Sequence, residues 1–267
     1  MKHLINPTID CVFKAILGAK ENINLLIHFL NGILQPLSPI IDVVIENPYN
    51  ERDYIDDKLT VVDIKATDGN KTTYQVEVQL STPGHLKNRM LFTWADIYQA
   101  QLKSGHVFGK LKPVISIWLL TETIFPDLNK CHHHFQLRDN DNQQLLTDQC
   151  SIHVLELSKW QQPDTLQPQD EWLYFFKEAQ NWAELPEQLN SPQMRQAMNV
   201  LEEFSEKEAS YHVYKSRLNA LRVQLSMQQE LEEECQLRAQ AQTRAEKAEA
   251  EQHRLLALLQ QAGVDPS

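Results

Sequence analysis

Two β-branched runs on either side of a strong turn signal constrain this chain more than any other stretch. Lys58-Leu59-Thr60-Val61-Val62-Asp63-Ile64-Lys65 reads as one strand, and the alternating segment from Thr72 to Leu80 reads as another. Asp68-Gly69-Asn70 between them is the expected turn of a hairpin. A turn centred on Asn70 sets Asp63 opposite Glu77, each the same number of residues from the centre. Side chains directly opposed across a strand pair share a face, with Cβ atoms roughly 4.5–5.5 Å apart. Gln79 joins that face because side chains alternate with period two. A one-residue slip in the turn would send one member of the pair to the other side, so everything built on it rests on that register.

Two carboxylates held face to face repel each other, and a bound divalent cation is the simplest reason to keep them there. Oxygen donors of this kind suit Mg²⁺ or Mn²⁺, which take one or two carboxylates, waters and substrate phosphate oxygens. A metal so placed activates water and stabilises the charge of phosphodiester cleavage, with Gln79 able to orient a water or a carboxylate. The alternative is a half-exposed strand that carries Asp, Glu and Gln on its solvent face for no chemical reason. The residues by themselves leave both readings open.

The rest of the chain places this hairpin in an α/β order. Asn6-Pro7-Thr8 offers a capping residue followed by Pro near the first turn, and Ile9, Val12, Phe13, Ile16 and Leu17 follow at helical spacing until Gly18. A second helix is expected from about Glu21, ending near Asn31-Gly32. Ile41 to Ile45 reads as a strand. Pro83-Gly84 opens a helix to about Lys103 that stops at Gly105, and Val114 to Leu120 is a buried central strand. Further strands are expected near 132–138 and 151–157, then a Gln/Pro/Asp linker to about Gln169, helices near 170–182 and 192–204, and a long one over 206–261. Leu218, Leu221 and Leu225 begin a heptad that Gln228 and Glu232 break, so a coiled coil or a helical hairpin both fit. The expected domains are an α/β core over 1–160, a helical linker region over 161–205 and a long helix over 206–262.

Composition narrows the function classes. No run approaches the roughly 18–20 apolar residues of a membrane span, and the first residues lack the pattern of a secretory signal. Cys11, Cys131, Cys150 and Cys235 are widely spaced without a CxxC pair, which argues against a zinc site and fits a reducing, cytoplasmic setting. No glycine-rich phosphate loop occurs, so no nucleotide cofactor is expected. The net charge of −11 is unevenly spread: residues 1–120 carry 12 basic and 12 acidic side chains, whereas residues 161–267 carry 10 and 18. The acidic C-terminal part makes a poor nucleic-acid binder, while the N-terminal part retains the option of a local basic face. His132-His133-His134 cannot all converge on one metal, since neighbours on a strand point to opposite faces; an exposed strand end is the expectation.

Several segments, in order, resemble the PD-(D/E)XK nuclease fold, and more specifically the Rpn family of recombination-promoting nucleases, often labelled PD-(D/E)XK transposases. Asp10-Cys11-Val12-Phe13-Lys14 is similar to the family's opening D-x-x-F-K helix, and Leu30-Asn31-Gly32-Ile33-Leu34 to its L-N-x-I-L segment. Asp63-Ile64-Lys65-Ala66-Thr67-Asp68 and Glu77-Val78-Gln79 resemble its D-V-x-A-x-D and E-x-Q strands. The stretches Arg89 to Gly105 and Leu111 to Ile117 resemble the helix and strand that follow, so the likeness covers about residues 6–160. It implies a mixed central sheet flanked by helices with an all-α extension, Asp63 and Glu77 as Mg²⁺ or Mn²⁺ ligands, and DNA as substrate. Gln79 stands where the wider superfamily has a lysine, a departure that removes a charge from the transition state. Lys14 or Lys65 would replace that charge, unless each is a solvated surface lysine. Asp10 would be a third acid, unless it only stabilises its helix N-terminus. Arg89 and Tyr98 would contact phosphate, or else serve an ion pair and the core. The implied activity is a metal-dependent DNA endonuclease in recombination, mobile-element or defence biology, self-associating through its C-terminal helices as a homodimer. The alternative is a catalytically decayed domain kept for the contacts of its long helix.

Overall fold

The computed structural model describes residues 3–46, 63–82, 84–103, 105 and 107–261. Part of the first expected hairpin strand, residues 58–62, therefore lies outside the described residues, as do Pro83 and residue 262. The chain divides into two compact units, Met1–Arg217 and Leu218–Ser267.

In the first unit, helices α1 (Asp10–Leu17) and α2 (Ile23–Leu34) precede strands β1 (Val43–Glu46), β2 (Ile64–Asp68) and β3 (Thr73–Gln79). Helix α3 (Leu86–Gln99) leads into β4 (Val114–Leu120), β5 (His132–Phe135) and β6 (Cys150–Glu156), and helices α4 (Pro168–Glu178) and α5 (Pro192–Glu206) follow. Among the described residues the six strands form one mixed sheet in the order β1-β2-β3-β4-β6-β5. Strand β4 runs parallel to both β3 and β6. The parallel step from β3 to β4 requires a crossover, which α3 supplies.

The sheet is covered on both faces, which explains the continuous apolar run of β4. On one face Trp118, Leu120 and Val154 pack against Leu86 and Met90 of α3. On the other, Ile64, Val76, Ile117 and Leu155 are buried, with the Ile64 side chain against the end of α1. There α1, α2 and α4 share an aromatic cluster in which Phe29 meets Trp172 edge-on at 5.7 Å and Phe13 lies 5.3 Å from Phe176. Such pairs add about 0.5–1.5 kcal/mol beyond the apolar area they bury.

Two local expectations are corrected. Asn6 does not cap α1: its Oδ1 accepts from the N–H and hydroxyl of Thr8, and Ile9 occupies the cap position. Gly32 does not end α2, which runs on to Leu34 and closes at Gln35 in the left-handed region (φ 45°). The glycine is there for space, because a Cβ would sit 2.9 Å from the carbonyl oxygen of Pro168 at the start of α4. The final helix, α6, spans Glu208–Gln261; its segment up to Arg217 belongs to the first unit, and the second unit is helical to Gln261. None of the described helices is long and apolar enough to cross a membrane.

Candidate active site

The hairpin turn sets the register of the site. Asp68 Oδ1 accepts from the N–H groups of Asn70 and Thr72 at 2.9 and 2.8 Å, and Lys71 takes the left-handed conformation (φ 68°) that ends the loop. Gly69, Asn70 and Lys71 thus make a three-residue loop. The ladder that follows pairs Thr67 with Thr73, Ala66 with Tyr74, Lys65 with Gln75 and Ile64 with Val76. This is the register of a turn centred on Asn70, and its next step sets Asp63 beside Glu77.

Three contacts show how closely the two acids meet. The Asp63 N–H donates to Glu77 Oε1 at 3.1 Å, and Asp63 Oδ2 accepts from the N–H of Val78 at 3.0 Å. Gln79 Nε2 donates to Glu77 Oε2 at 3.4 Å. Cations approach from both helical layers. From α1, Lys14 Nζ lies 3.1 Å from Asp63 Oδ1. From α3, an Arg89 guanidinium nitrogen lies 3.7 Å from Glu77 Oε2, another donates to Gln79 Oε1 at 3.4 Å, and the group rests 5.6 Å from the Trp118 ring centroid. Two positive charges, one from α1 and one from α3, thus flank the Asp63, Glu77 and Gln79 side chains.

Glu77 is the unusual member. It is 1% exposed, and burial, together with the charge of Asp63, pushes its carboxyl up to about 7 against the opposing pull of Arg89 and the Asp63 N–H. Beneath it runs a chain that sequence reading missed: Trp118 Nε1 donates to Ser116 Oγ at 2.8 Å, and Ser116 Oγ donates to Gln75 Oε1 at 2.6 Å. This fixes the Gln75 amide with Nε2 on the side of Glu77, close enough to favour the anion yet outside hydrogen-bond geometry. The available signal was Ser116, a lone polar residue in an apolar strand.

Two adjacent carboxylates, one of them buried at a cost its neighbours do not fully offset, are a donor set that fits Mg²⁺ or Mn²⁺. Among the described residues no group of three His, Cys, Asp or Glu side chains converges on a metal position. A hard cation with two carboxylates would complete its shell with water and phosphate oxygens.

The other candidates lie elsewhere. Asp10 sits in the first turn of α1 and pairs with Arg217 at 3.6 Å, and no described contact joins it to Asp63 or Glu77. Lys65 pairs with Glu46 at 2.7 Å. Tyr98 stacks on Trp94 with ring centroids 5.0 Å apart, while Trp94 Nε1 donates to the Val114 carbonyl. Tyr98 thus serves packing on α3.

The three consecutive histidines alternate across the sheet as expected, but against the expected exposed strand end only His134 of the three is exposed, while His133 is buried and His132 half-buried. His133 meets Glu156 at 2.9 Å on one face. On the other, His132 Nε2 and His153 Nδ1 are 2.9 Å apart, and His153 Nε2 and His134 Nε2 approach Ser151 Oγ at 2.9 and 2.8 Å. Burial pushes the imidazoles of His132, His134 and His153 below the ordinary value, His153 to about 3. An unfolded histidine titrates near 6.5. Between those values the unfolded chain holds more protons, so stability falls as pH drops below about 6.5. His153 alone is expected to cost about 2 kcal/mol by pH 5. Urea unfolding at pH 7 and pH 5, run in a Glu77→Gln background to remove that residue's opposite trend, checks this; equal midpoints would mean solvated imidazoles.

The family model of PD-(D/E)XK nuclease family transposases matches residues 7–234 of this chain. No curated protein and no solved structure matches it.

Proposed function

The chain belongs to the PD-(D/E)XK nuclease family transposases, and from that premise we propose that it is a metal-dependent DNA endonuclease using Mg²⁺, with Mn²⁺ as a substitute. The observation that carries this reading is the buried Glu77 carboxylate, pushed up to about 7 beside Asp63. A purely structural carboxylate in that position gains from being replaced, whereas a cation-binding one needs its charge. Asp63 and Glu77 would hold the ion. When bound, it supplies a Lewis acid that lowers the pKa of a water and neutralises charge on the phosphodiester.

The protein's own groups do the rest. Gln79, held between Glu77 and Arg89, has an amide able to orient a water. Lys14 and Arg89, now 3.1 and 3.7 Å from Asp63 and Glu77, would turn to the negative charge that develops on a phosphate. Glu77 must be ionised to take the ion, so Mg²⁺ is expected to bind more tightly as pH rises through about 7. Self-association as a homodimer would run through the second unit: Val223, Met227, Leu231 and Leu237 are all more than half exposed on its helix and offer apolar surface for a second helix to cover.

The test is direct. Purified protein with supercoiled plasmid and Mg²⁺ is expected to give nicked or linear product, and Asp63→Ala none under the same conditions. Equal behaviour of wild type and variant removes the catalytic reading and leaves that of an interaction protein.

A further inference from the structure

A concavity of about 610 Å³ lies between the β1–β2–β3 ribbon and the end of α3, and Lys65, Lys71, Lys110 and Lys112 line it. We propose that this lysine-lined groove is the track along which duplex DNA lays its phosphate backbone as it enters the Asp63–Glu77 site, an inference that rests on the nuclease reading.

Its charge is the first argument. Four lysines face a single carboxylate, Glu46, so the lining is formally +3 in a chain of net charge −11. Glu46 is itself saturated, accepting from Lys65 at 2.7 Å and from the Thr67 hydroxyl at 2.6 Å. Lys110 and Lys112 are exposed and in no ion pair among the described residues. Repulsion between unpaired like charges in one hollow is a cost that a polyanion would relieve.

Position is the second. Asp63, Lys65 and Thr67 follow one another on one face of β2, and Glu77, Gln75 and Thr73 do so on β3. At about 3.3 Å per residue, the groove therefore begins roughly 7 Å from Asp63 and continues away from it along the strands. Rigidity is the third. The Gln101 side chain clamps the backbone of Lys112 from both sides, donating to its carbonyl at 3.0 Å and accepting from its N–H at 2.8 Å. The segment bearing Lys110 and Lys112 is thus fixed to the end of α3.

The experiment uses the full chain and a fluorescein-labelled 30-base-pair duplex. Binding is read by anisotropy in Ca²⁺ across a salt series, and cleavage by gel in Mg²⁺. Lys110→Glu with Lys112→Glu is expected to weaken binding at least tenfold, to flatten the slope of log K against log salt by about 2, and to raise KM with kcat retained. The same charge change made away from the groove, Lys20→Glu with Lys130→Glu, is expected to leave affinity within about threefold of wild type. If wild type cleaves DNA but the groove variant binds it with unchanged affinity and salt slope, the track is overturned and the nuclease reading survives. If wild type binds without cleaving and the groove variant loses that binding, the track stands and catalysis falls. Equal losses in both double variants, or no binding by wild type, also overturn the track.

Discussion

Replacing Glu77 by Gln is expected to abolish Mg²⁺-dependent cleavage and, in the same protein, to raise its stability without metal at pH 8. The opposite signs follow from one fact. Burial and Asp63 hold the folded carboxyl at about 7, well above the ordinary carboxylate value of 4.5. The folded state therefore binds its proton more tightly than the unfolded chain, and this contribution to stability grows as pH falls from 7 toward 4.5. Above pH 7 the anion is buried at full cost, on the order of 3 kcal/mol or slightly more from the size of that shift. A neutral amide of the same shape removes the cost and still accepts from the Asp63 N–H through its oxygen. Loss of a ligand carboxylate should lower turnover about a thousandfold or more, comparable to removing a principal electrostatic group from an active site. Thermal melts of wild type and variant at pH 8 and pH 4.5 check the first half: the gain is present at pH 8 and gone at pH 4.5. Adding Mg²⁺ at a hundred times its dissociation constant should stabilise wild type by about 2.7 kcal/mol and the variant not at all. A variant less stable than wild type at both pH values would mean that the Arg89–Glu77 pair is structural and the acid is no metal ligand.

What the sequence made legible, and what it hid, divides by the range of the interactions involved. The hairpin is local. Asp68, Asn70 and Lys71 settle the turn, the turn settles the ladder, and the ladder brings Asp63 to Glu77, so a few residues of chain carry the whole inference. The central strand was equally readable, because burial on both faces leaves an apolar run. Arg89 was harder. It was visible as a basic residue on the helix after the hairpin, but only the docking of α3 on Trp118 and Leu120 decides that its guanidinium reaches Glu77 and Gln79. Lys14 and Asp10 show the same limit within one helix turn. Lys14 points to Asp63 while Asp10 pairs with Arg217, some two hundred residues away in sequence. Gly32 misled for a related reason. A glycine in a helical pattern signals a stop from inside the helix, yet this one answers to the carbonyl of Pro168 on another element.

Glu156→Ala should be the most destabilising single change, by about 3–5 kcal/mol, because it strips the partner from a buried charge network. Glu156 is fully buried at the end of β6. Its carboxylate takes Lys159 Nζ at 2.6 Å, His133 Nε2 at 2.9 Å and the Phe125 N–H at 3.0 Å, and also accepts from Ile124 N–H. Although burial raises its pKa, Lys159 and these donors hold the carboxyl below the ordinary value. The residue thereby organises the loop after β4, whose Phe125 packs at 5.1 Å on His133 and lies under Lys87 at the start of α3. Removing the acid leaves the Ile124 and Phe125 N–H groups without an acceptor, each costing its desolvation, and takes the counter-charge from a poorly exposed ammonium that keeps the carbonyls of Phe125 and Leu128. A fall of roughly 10 °C in melting temperature is expected for a unit of this size. Adding Lys159→Met to the alanine variant should return much of the loss, since the stranded charge is then gone. If the single variant loses less than about 1 kcal/mol, or the second substitution only adds to the damage, the network is solvated and the loop is held by its apolar contacts instead.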